Sequence, residues 1–428
     1  MKDVHEILKK RPLLFDGGMG TYYNAAPGQE CEQANRTDPE GILAVHRAYL
    51  DAGADAIKTN TFGLTRMAAA HDPAWKALAE AGWELARRAA AQTDAAVFAD
   101  IGPAPDTEAL PAVQLYTALA DCFLALGAKN FLFETLSADT GVAEAAKQIK
   151  QAAPDAFVLV SFAVLPDGYT REGQHCAELV HRMEACGAVD AVGLNCVSAP
   201  SAMGELVQKL GGAKLPLSVM PNAGYPVVTR TRVQYRGRPE YFAQELAKLA
   251  ARGVRILGGC CGTTPRHIAA LRRALDALPQ TLPAAPAVQL SAAPKPKAET
   301  DDAFLRKLNA GKKVVAVELD SPKDADLTGY LESARRLQAA GTDLLTIADC
   351  PIARARMDSS LVACRVHREL GLNVLPHMTC RDRNLNASKA LLLGLYAEGV
   401  REVLAITGDP IPTAERDEVK SVYQFNSR

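Results

Sequence analysis

Charge of one sign is almost absent from this 428-residue chain. Its 48 Lys and Arg stand against 49 Asp and Glu, a formal net charge of −1. With no basic cluster either, nothing draws the chain to nucleic acid. There is no run of about 18 apolar residues, so no membrane span is expected. The opening MKDVHEILKKRPLL has no apolar stretch long enough for a signal peptide. Cysteine is sparse: ten in a chain of this size do not make a secreted disulfide scaffold. A reducing cytoplasm is therefore the expected compartment. What is present is 48% hydrophobic and 23% charged residues, the balance of a globular protein with a buried core. The length calls for two or more domains.

Short apolar runs recur along the first part, at 13–16 (LLFD), 54–60, 96–102, 130–135, 157–163, 189–195, 216–221 and 254–259. They are continuous rather than alternating, as parallel strands buried on both faces require. Between most of them lie stretches of helical period, such as 75–92 and 241–252. Eight β–α repeats in about 270 residues predict an α/β fold of the (β/α)8 TIM-barrel type. A doubly wound open sheet is the runner-up.

The composition then breaks. Residues 278–298 read LPQTLPAAPAVQLSAAPKPKA, rich in Pro and Ala and without apolar period. This predicts a first domain at 1–278, an extended linker at 279–300 and a second domain at 301–428. In the last the rhythm restarts at 313–319, 343–348, 372–378 and 402–407, with a further candidate strand at 422–425. Four or five parallel strands do not close a barrel and leave a bare edge. The second segment is thus expected to be a partial (β/α) barrel, cut short.

Three cysteines directly follow strands. Cys196 ends VGLNC, and Cys260 and Cys261 end ILGGCC. Strand C-termini of a parallel barrel share one face, so positions 65 apart in sequence can converge there. Three thiolates suit Zn²⁺, and three ligands rather than four leave a position open for substrate. A substrate thiol in that position would be held as its thiolate and stay nucleophilic beside an all-sulfur shell. The competing reading is that the adjacent cysteines are merely packed, since free cysteine is often buried. The GG before the pair, the GTTP after it and Cys196 at a sister strand end weigh against that. Thr263, Thr264 and Pro265 are expected to cap and open a helix over 265–277. His267 on that helix is read as a surface or capping residue rather than a ligand. Cys122, Cys176, Cys186 and Cys364 lie in helix-like stretches and read as small buried hydrophobes.

GLNC and GGCCGTTPRHI, together with FDGGMGT at 15–21, KTNTFG at 58–63, DIGP at 100–103, FETLSA at 133–138 and PNAGYP at 221–226, resemble the homocysteine S-methyltransferase family. The resemblance covers the whole first domain and implies a (β/α)8 barrel that methylates the thiol of homocysteine to give methionine. It implies Cys196, Cys260 and Cys261 as zinc ligands. It further implies that Asp16 and the backbone of Gly17 and Gly18 hold the amino acid, and that Glu134 contacts its ammonium. Asp16 and Glu134 are also carboxylates at strand ends, where an –NH3⁺ could be paired, with helix N-capping as the alternative role. Asn60, Asn195 and, on weaker grounds, Asn222 are further contact candidates, as is Thr61.

The second segment resembles the flavin-dependent methylenetetrahydrofolate reductase family through VAVELDSP at 315–322, LTIADCP at 345–351, HMTCRDRN at 377–384 and LAITGDP at 404–410. That resemblance implies Glu318 as the acid that protonates folate, with Thr346, His377 and Asp409 lining FAD. The family's barrel runs well beyond this segment, so as it stands the segment is expected to reduce nothing. Asp409 has a turn role before Pro410 as its alternative. Candidate methyl donors are S-methylmethionine, S-adenosylmethionine, betaine and 5-methyltetrahydrofolate. A quaternary ammonium wants an aromatic cage. The only two tryptophans, Trp75 and Trp83, fall in helical stretches away from the strand ends, leaving Tyr22 and Tyr23. A sulfonium donor is therefore preferred. Two other readings stand beside this: a non-catalytic zinc-holding scaffold for the reductase, and methylation of selenocysteine or another small thiol. A homo-oligomer is left open.

Overall fold

The computed structural model describes residues 3–23, 30–105, 110–210, 213–224, 226–228, 233–235, 237–278, 303–411 and 421–422. The Pro/Ala-rich linker expected at 279–300 lies outside the described residues. The chain forms two compact units, Met1–Lys295 and Pro296–Arg428.

The first unit has eight parallel strands: β1 Leu13–Leu14, β2 Ala56–Lys58, β3 Ala96–Ile101, β4 Asn130–Leu136, β5 Phe157–Phe162, β6 Ala191–Asn195, β7 Leu217–Met220 and, after a β8–β9 hairpin (Pro226–Val228 with Val233–Tyr235), β10 Ile256–Leu257. Their order is β1-β10-β7-β6-β5-β4-β3-β2. The remaining seam is spanned by a parallel bridge between Phe15 and Ala56. There Asp16 N–H donates to the Ala56 carbonyl at 3.0 Å, and Asp55 N–H to that of Leu14 at 2.7 Å. The sheet therefore comes round on itself as a (β/α)8 barrel, and the open doubly wound alternative is set aside.

Period two explains what each strand presents. Ala96 and Phe98 on β3, Leu132 on β4, Phe157 and Leu159 on β5 and Met220 on β7 form the barrel interior. Val97, Ala99, Phe131, Phe133, Val158 and Val160 belong to the layer between sheet and helices. Val4 and Ile7 of the helix Val4–Lys10 join the interior cluster. One inward step further toward the strand C-termini, the same alternation reaches Lys58, Asp100, Glu134, Ser161 and Asn195. All five are buried polar residues.

The helices follow the sequence expectation, with Ala74–Ala90, Pro239–Ala251 and Pro265–Asp276 in the expected places. Trp75 and Trp83 are buried in the first of these, away from the strand ends. Three of the four helical cysteines differ from their reading as buried hydrophobes. Cys176 is buried, but Cys122, Cys186 and Cys364 are only half-buried, because they sit on the shoulders of their helices.

Among its described residues the second unit has four parallel strands in sequence order: β11 Ala316–Glu318, β12 Leu344–Ile347, β13 Val374–Thr379 and β14 Leu404–Ile406. Helices Thr328–Ala339, Ser359–Leu370 and Leu385–Ala397 alternate with them. This is a partial second barrel. Val422 donates its N–H to the Arg381 carbonyl at 2.7 Å without joining the sheet. The rest of the strand expected at 422–425 lies outside the described residues.

Candidate functional site

The strand C-termini of the first unit surround a cavity of about 410 Å³. Cys196, Cys260 and Cys261 line it, with Lys58, Asp100 and Glu134 beside them. The three Sγ atoms lie within 4.8 Å of one another, and Cys196 and Cys261 are 3.8 Å apart. The sheet order accounts for the convergence of positions 196 and 260. Strands β6 and β10 both flank β7, and its end holds both cysteines: Cys196 N–H donates to the Met220 carbonyl at 3.0 Å, and Cys260 N–H to that of Pro221 at 2.9 Å.

The glycines around the cysteines are steric necessities. A Cβ on Gly258 would lie 2.6 Å from Phe15 Cβ, and one on Gly259 would lie 2.3 Å from Thr263 Oγ1. Cys196 and Val197 adopt left-handed backbone, φ 56° and 47°, which is costly for non-glycine residues and recurs at functional sites. The Gly17–Gly18 loop is tied to the same turn: Gly18 N–H donates to Thr263 Oγ1 at 3.0 Å, and Thr263 Oγ1 donates to the Cys260 carbonyl at 2.6 Å. Tyr49 OH bonds the carbonyls of Gly18 (3.2 Å) and Thr263 (2.9 Å).

The thiols share their protons as a cluster with one anion would. Hydrogen bonds from Cys196, then Cys260, push the Cys261 thiol down to about 3, whereas Cys260, donating to both, is held well above the usual thiol range. Three soft sulfurs around one point fit a zinc ion. Tyr235, at the end of the β8–β9 hairpin, adds a hydrogen bond that further lowers Cys261. Nothing in the sequence singled out Tyr235, because a hairpin tyrosine has no motif.

Glu134 projects inward from β4 and is 5% exposed. Its Oε2 accepts from Lys58 Nζ at 3.4 Å and from Asn195 Nδ2 at 3.2 Å. Asn195 is fully used otherwise: its Oδ1 accepts from Thr135 N–H and from Ser161 Oγ, both at 2.9 Å. Asn195 thus orients Glu134. Asn60 lines the cavity but spends its amide on Cys31 O and Asn35 Oδ1, both at 2.9 Å. Thr61 donates to the Asp100 carbonyl at 2.7 Å, and Asn222 is buried with Oδ1 unpartnered. Asp16 stands behind the cavity wall, where its Oδ2 accepts the Lys58 backbone N–H at 3.0 Å. Gly18 borders the cavity and Gly17 lies under Tyr49. Tyr22 packs on Tyr49, and Tyr23 donates to Asp38. His267 caps rather than ligates: its Nδ1 accepts the Thr264 N–H at 3.2 Å, and the ring is buried rather than on the surface.

Burial lifts the Asp16 carboxyl to about 7, with Lys58 opposing the rise. The folded state then binds a proton that the unfolded state releases near 3.8. This contribution to stability is fully present below the unfolded value and is lost as pH climbs from about 4 toward 7. Asp16→Asn keeps an acceptor for Lys58 N–H and removes the titration. Its melting temperature, relative to the parent chain, is expected to rise across that window. A constant difference would refute the assignment.

In the second unit Glu318, Thr346 and His377 come together on adjacent strands. Glu318 pairs in register with Thr346, and His377 Nε2 lies 3.9 Å from Glu318 Oε2. Asp409 Oδ2 accepts the Ile352 N–H at 2.7 Å, pinning a turn in which Cys350, Ile352 and Ala353 are all left-handed.

The homocysteine S-methyltransferase family model matches residues 13–275. The chain belongs to that family. Residues 303–427 match the methylenetetrahydrofolate reductase model, so a methyltransferase of this family is fused to a reductase-like segment. Methionine synthase from Mycobacterium tuberculosis is 33% identical over 296 residues, 62% of this chain and 25% of that protein. Its counterpart from Mycobacterium leprae is 34% identical over 296 residues, 62% and 24% respectively. The chain thus spans about a quarter of the length of these curated relatives. Among solved structures, the metallated form of the homocysteine methyltransferase MmuM from Escherichia coli is 27% identical with a TM-score of 0.53, covering 64% of this chain and 99% of that one. No helix among the described residues is long and apolar enough to cross a membrane.

Proposed function

We propose that the first unit transfers a methyl group to the thiol of homocysteine, giving methionine, with zinc held by Cys196, Cys260 and Cys261. The observation that carries this is the convergence of three thiols on a cavity that also holds buried charged groups able to grip an amino acid. A zinc ion held there would lower the pKa of the substrate thiol and present its sulfur as the nucleophile. The chain's own groups hold the rest of the substrate. Glu134, oriented by Asn195, pairs with the ammonium, and Gly18 lets the chain pass close. In the transfer, a sulfur lone pair forms the new S–CH3 bond as the bond from methyl to the donor's leaving atom breaks, and that electron pair stays with the donor. The thiol proton is released to solvent before the transfer.

This reading takes residues 1–278 as the homocysteine-binding domain, 279–300 as the linker and 301–428 as the N-terminal part of a reductase-like barrel. The second unit carries Glu318, Thr346, His377 and Asp409 on or beside the four strands among its described residues, the positions that would line FAD and folate.

The test is zinc content together with methionine formation from homocysteine, on anaerobically purified chain offered S-methylmethionine, S-adenosylmethionine, betaine and methyltetrahydrofolate separately. About one zinc per chain and methionine from one donor are expected. Zinc without turnover of homocysteine or any other thiol would favour the scaffold reading. Preferential turnover of a selenol or a different thiol would move the substrate. Flavin absorbance and reductase turnover of the same preparation test the second unit.

A further inference from the structure

A site of three thiolates that methylates a thiol has a selectivity problem, because its own sulfurs are nucleophiles of the same kind as the substrate's. The three cysteines meet it differently. Cys260 is buried, 8% exposed, whereas Cys196 and Cys261 are only half-buried where they line the cavity. Each of these two sulfurs accepts a hydrogen bond from a group outside the trio. Cys196 takes the Val197 backbone N–H, across the left-handed turn that both residues make. Cys261 takes the Tyr235 hydroxyl.

Backbone shape brings Tyr235 there. It ends β9, opposite Pro226 of β8. Its ring lies on Gly262, the residue after Cys261: a Cβ there would meet Tyr235 Cβ at 2.2 Å and Cγ at 2.3 Å, and the φ of Gly262 is 77°. Only glycine leaves room for the ring at such a backbone. The base of the hairpin is docked on the same turn. Ala223 N–H donates to the Cys261 carbonyl at 3.0 Å, and a Cβ on Gly237 would lie 2.1 Å from the Ala223 carbonyl oxygen.

We propose that Tyr235 decides which sulfur is methylated: its hydroxyl occupies a lone pair of Cys261 and keeps that cysteine from being alkylated in place of the substrate. The inference rests on the methyl-transfer reading above and adds a selectivity device to it. A hydrogen bond to a thiolate draws charge off the sulfur and weakens it as a nucleophile. Cys260 is protected by enclosure and Cys196 by a backbone N–H, so Cys261 is the one whose protection hangs on a side chain. A substrate thiol arrives without such a donor and is the more reactive sulfur. The reaction held off is self-inactivation. A Cys261 lone pair would form the S–CH3 bond, the electron pair of the breaking bond would leave with the donor's leaving atom, and Cys261 would become a neutral thioether. Zinc takes cysteine as its thiolate, so the metal would follow.

Tyr235→Phe keeps the ring on Gly262 and removes only the hydroxyl. Parent and variant chains, each loaded with zinc, are exposed to methyl iodide without homocysteine. Methylation of each cysteine is followed by peptide mass spectrometry, with zinc release read in parallel. Cys261 methylation is expected to be at least about tenfold faster in Tyr235→Phe, the effect of one hydrogen bond to a charged group. Cys196 and Cys260 should be unchanged, and zinc release should track Cys261. Equal Cys261 rates in the two chains would overturn the proposal. So would equal acceleration at all three cysteines, the result expected if the tyrosine only props the hairpin. A Tyr235→Phe chain that failed to fold or to load zinc would make the tyrosine a structural group and overturn it as well. Methyl iodide needs neither homocysteine nor a biological donor. Absence of methionine formation with every donor would therefore count against the proposed reaction, while the Cys261 comparison still decides the role of Tyr235.

Discussion

Replacing Cys260 by alanine is expected to empty the metal position and to lower methionine formation by on the order of 10³-fold, the rate equivalent of several kcal/mol of metal assistance. Cys260 is the best enclosed of the three thiols and the one that donates to both others. Two remaining sulfurs do not make a zinc site. The fold should survive, because the Cys260 backbone bond to Pro221 and the Thr263 bond to its carbonyl do not involve the thiol. Metal analysis and turnover, with circular dichroism as the folding check, decide the matter. A well-folded Cys260→Ala chain that kept about one zinc, or its activity, would contradict the three-cysteine centre.

Gly18→Ala should have the second largest effect, reached through the backbone. A Cβ at Gly18 would lie 2.7 Å from the Cys260 carbonyl oxygen and 2.6 Å from Thr21 Oγ1. The threonine can rotate, but the carbonyl cannot move without carrying Cys260 with it. Thr21 Oγ1 also accepts the Gly262 N–H at 2.9 Å, so even its rotation loosens the cysteine turn. Overpacking of this kind costs about 1–3 kcal/mol. The expected result is a lower melting temperature and zinc affinity weakened by at least about tenfold, measured by competition with a chelator. An unchanged zinc affinity would mean that the glycine loop and the metal centre are mechanically independent.

Much of the first unit is legible in its residues because of parity. Continuous apolar runs announce strands buried on both faces, and eight of them at barrel spacing leave few alternatives. The thiol trio is legible for the same reason, since cysteines just past strand ends share the rim of any closed parallel sheet. The second unit is legible only as a rhythm: four strands and their helices form where the pattern puts them. The shoulder positions of Cys122, Cys186 and Cys364 are not legible, because half-burial depends on which neighbour covers the helix edge.

Pattern and composition alone thus settle the class of fold, the likeness to a methyltransferase fused to a reductase-like segment, and which residue types could hold a metal. They do so because these depend on local period and on which atoms a chain can offer. Closure of the barrel is a tertiary matter, resting on a short seam at Phe15 and Ala56 that has no sequence signature. The division of labour inside the site is tertiary too. Asp16 stands behind the wall, Asn195 steers Glu134, His267 caps a helix, and Lys58 and Asp100 face the cavity. Those roles depend on which side chains from distant strands meet at one height in the barrel, and that height is fixed by strand register, which a linear chain does not display.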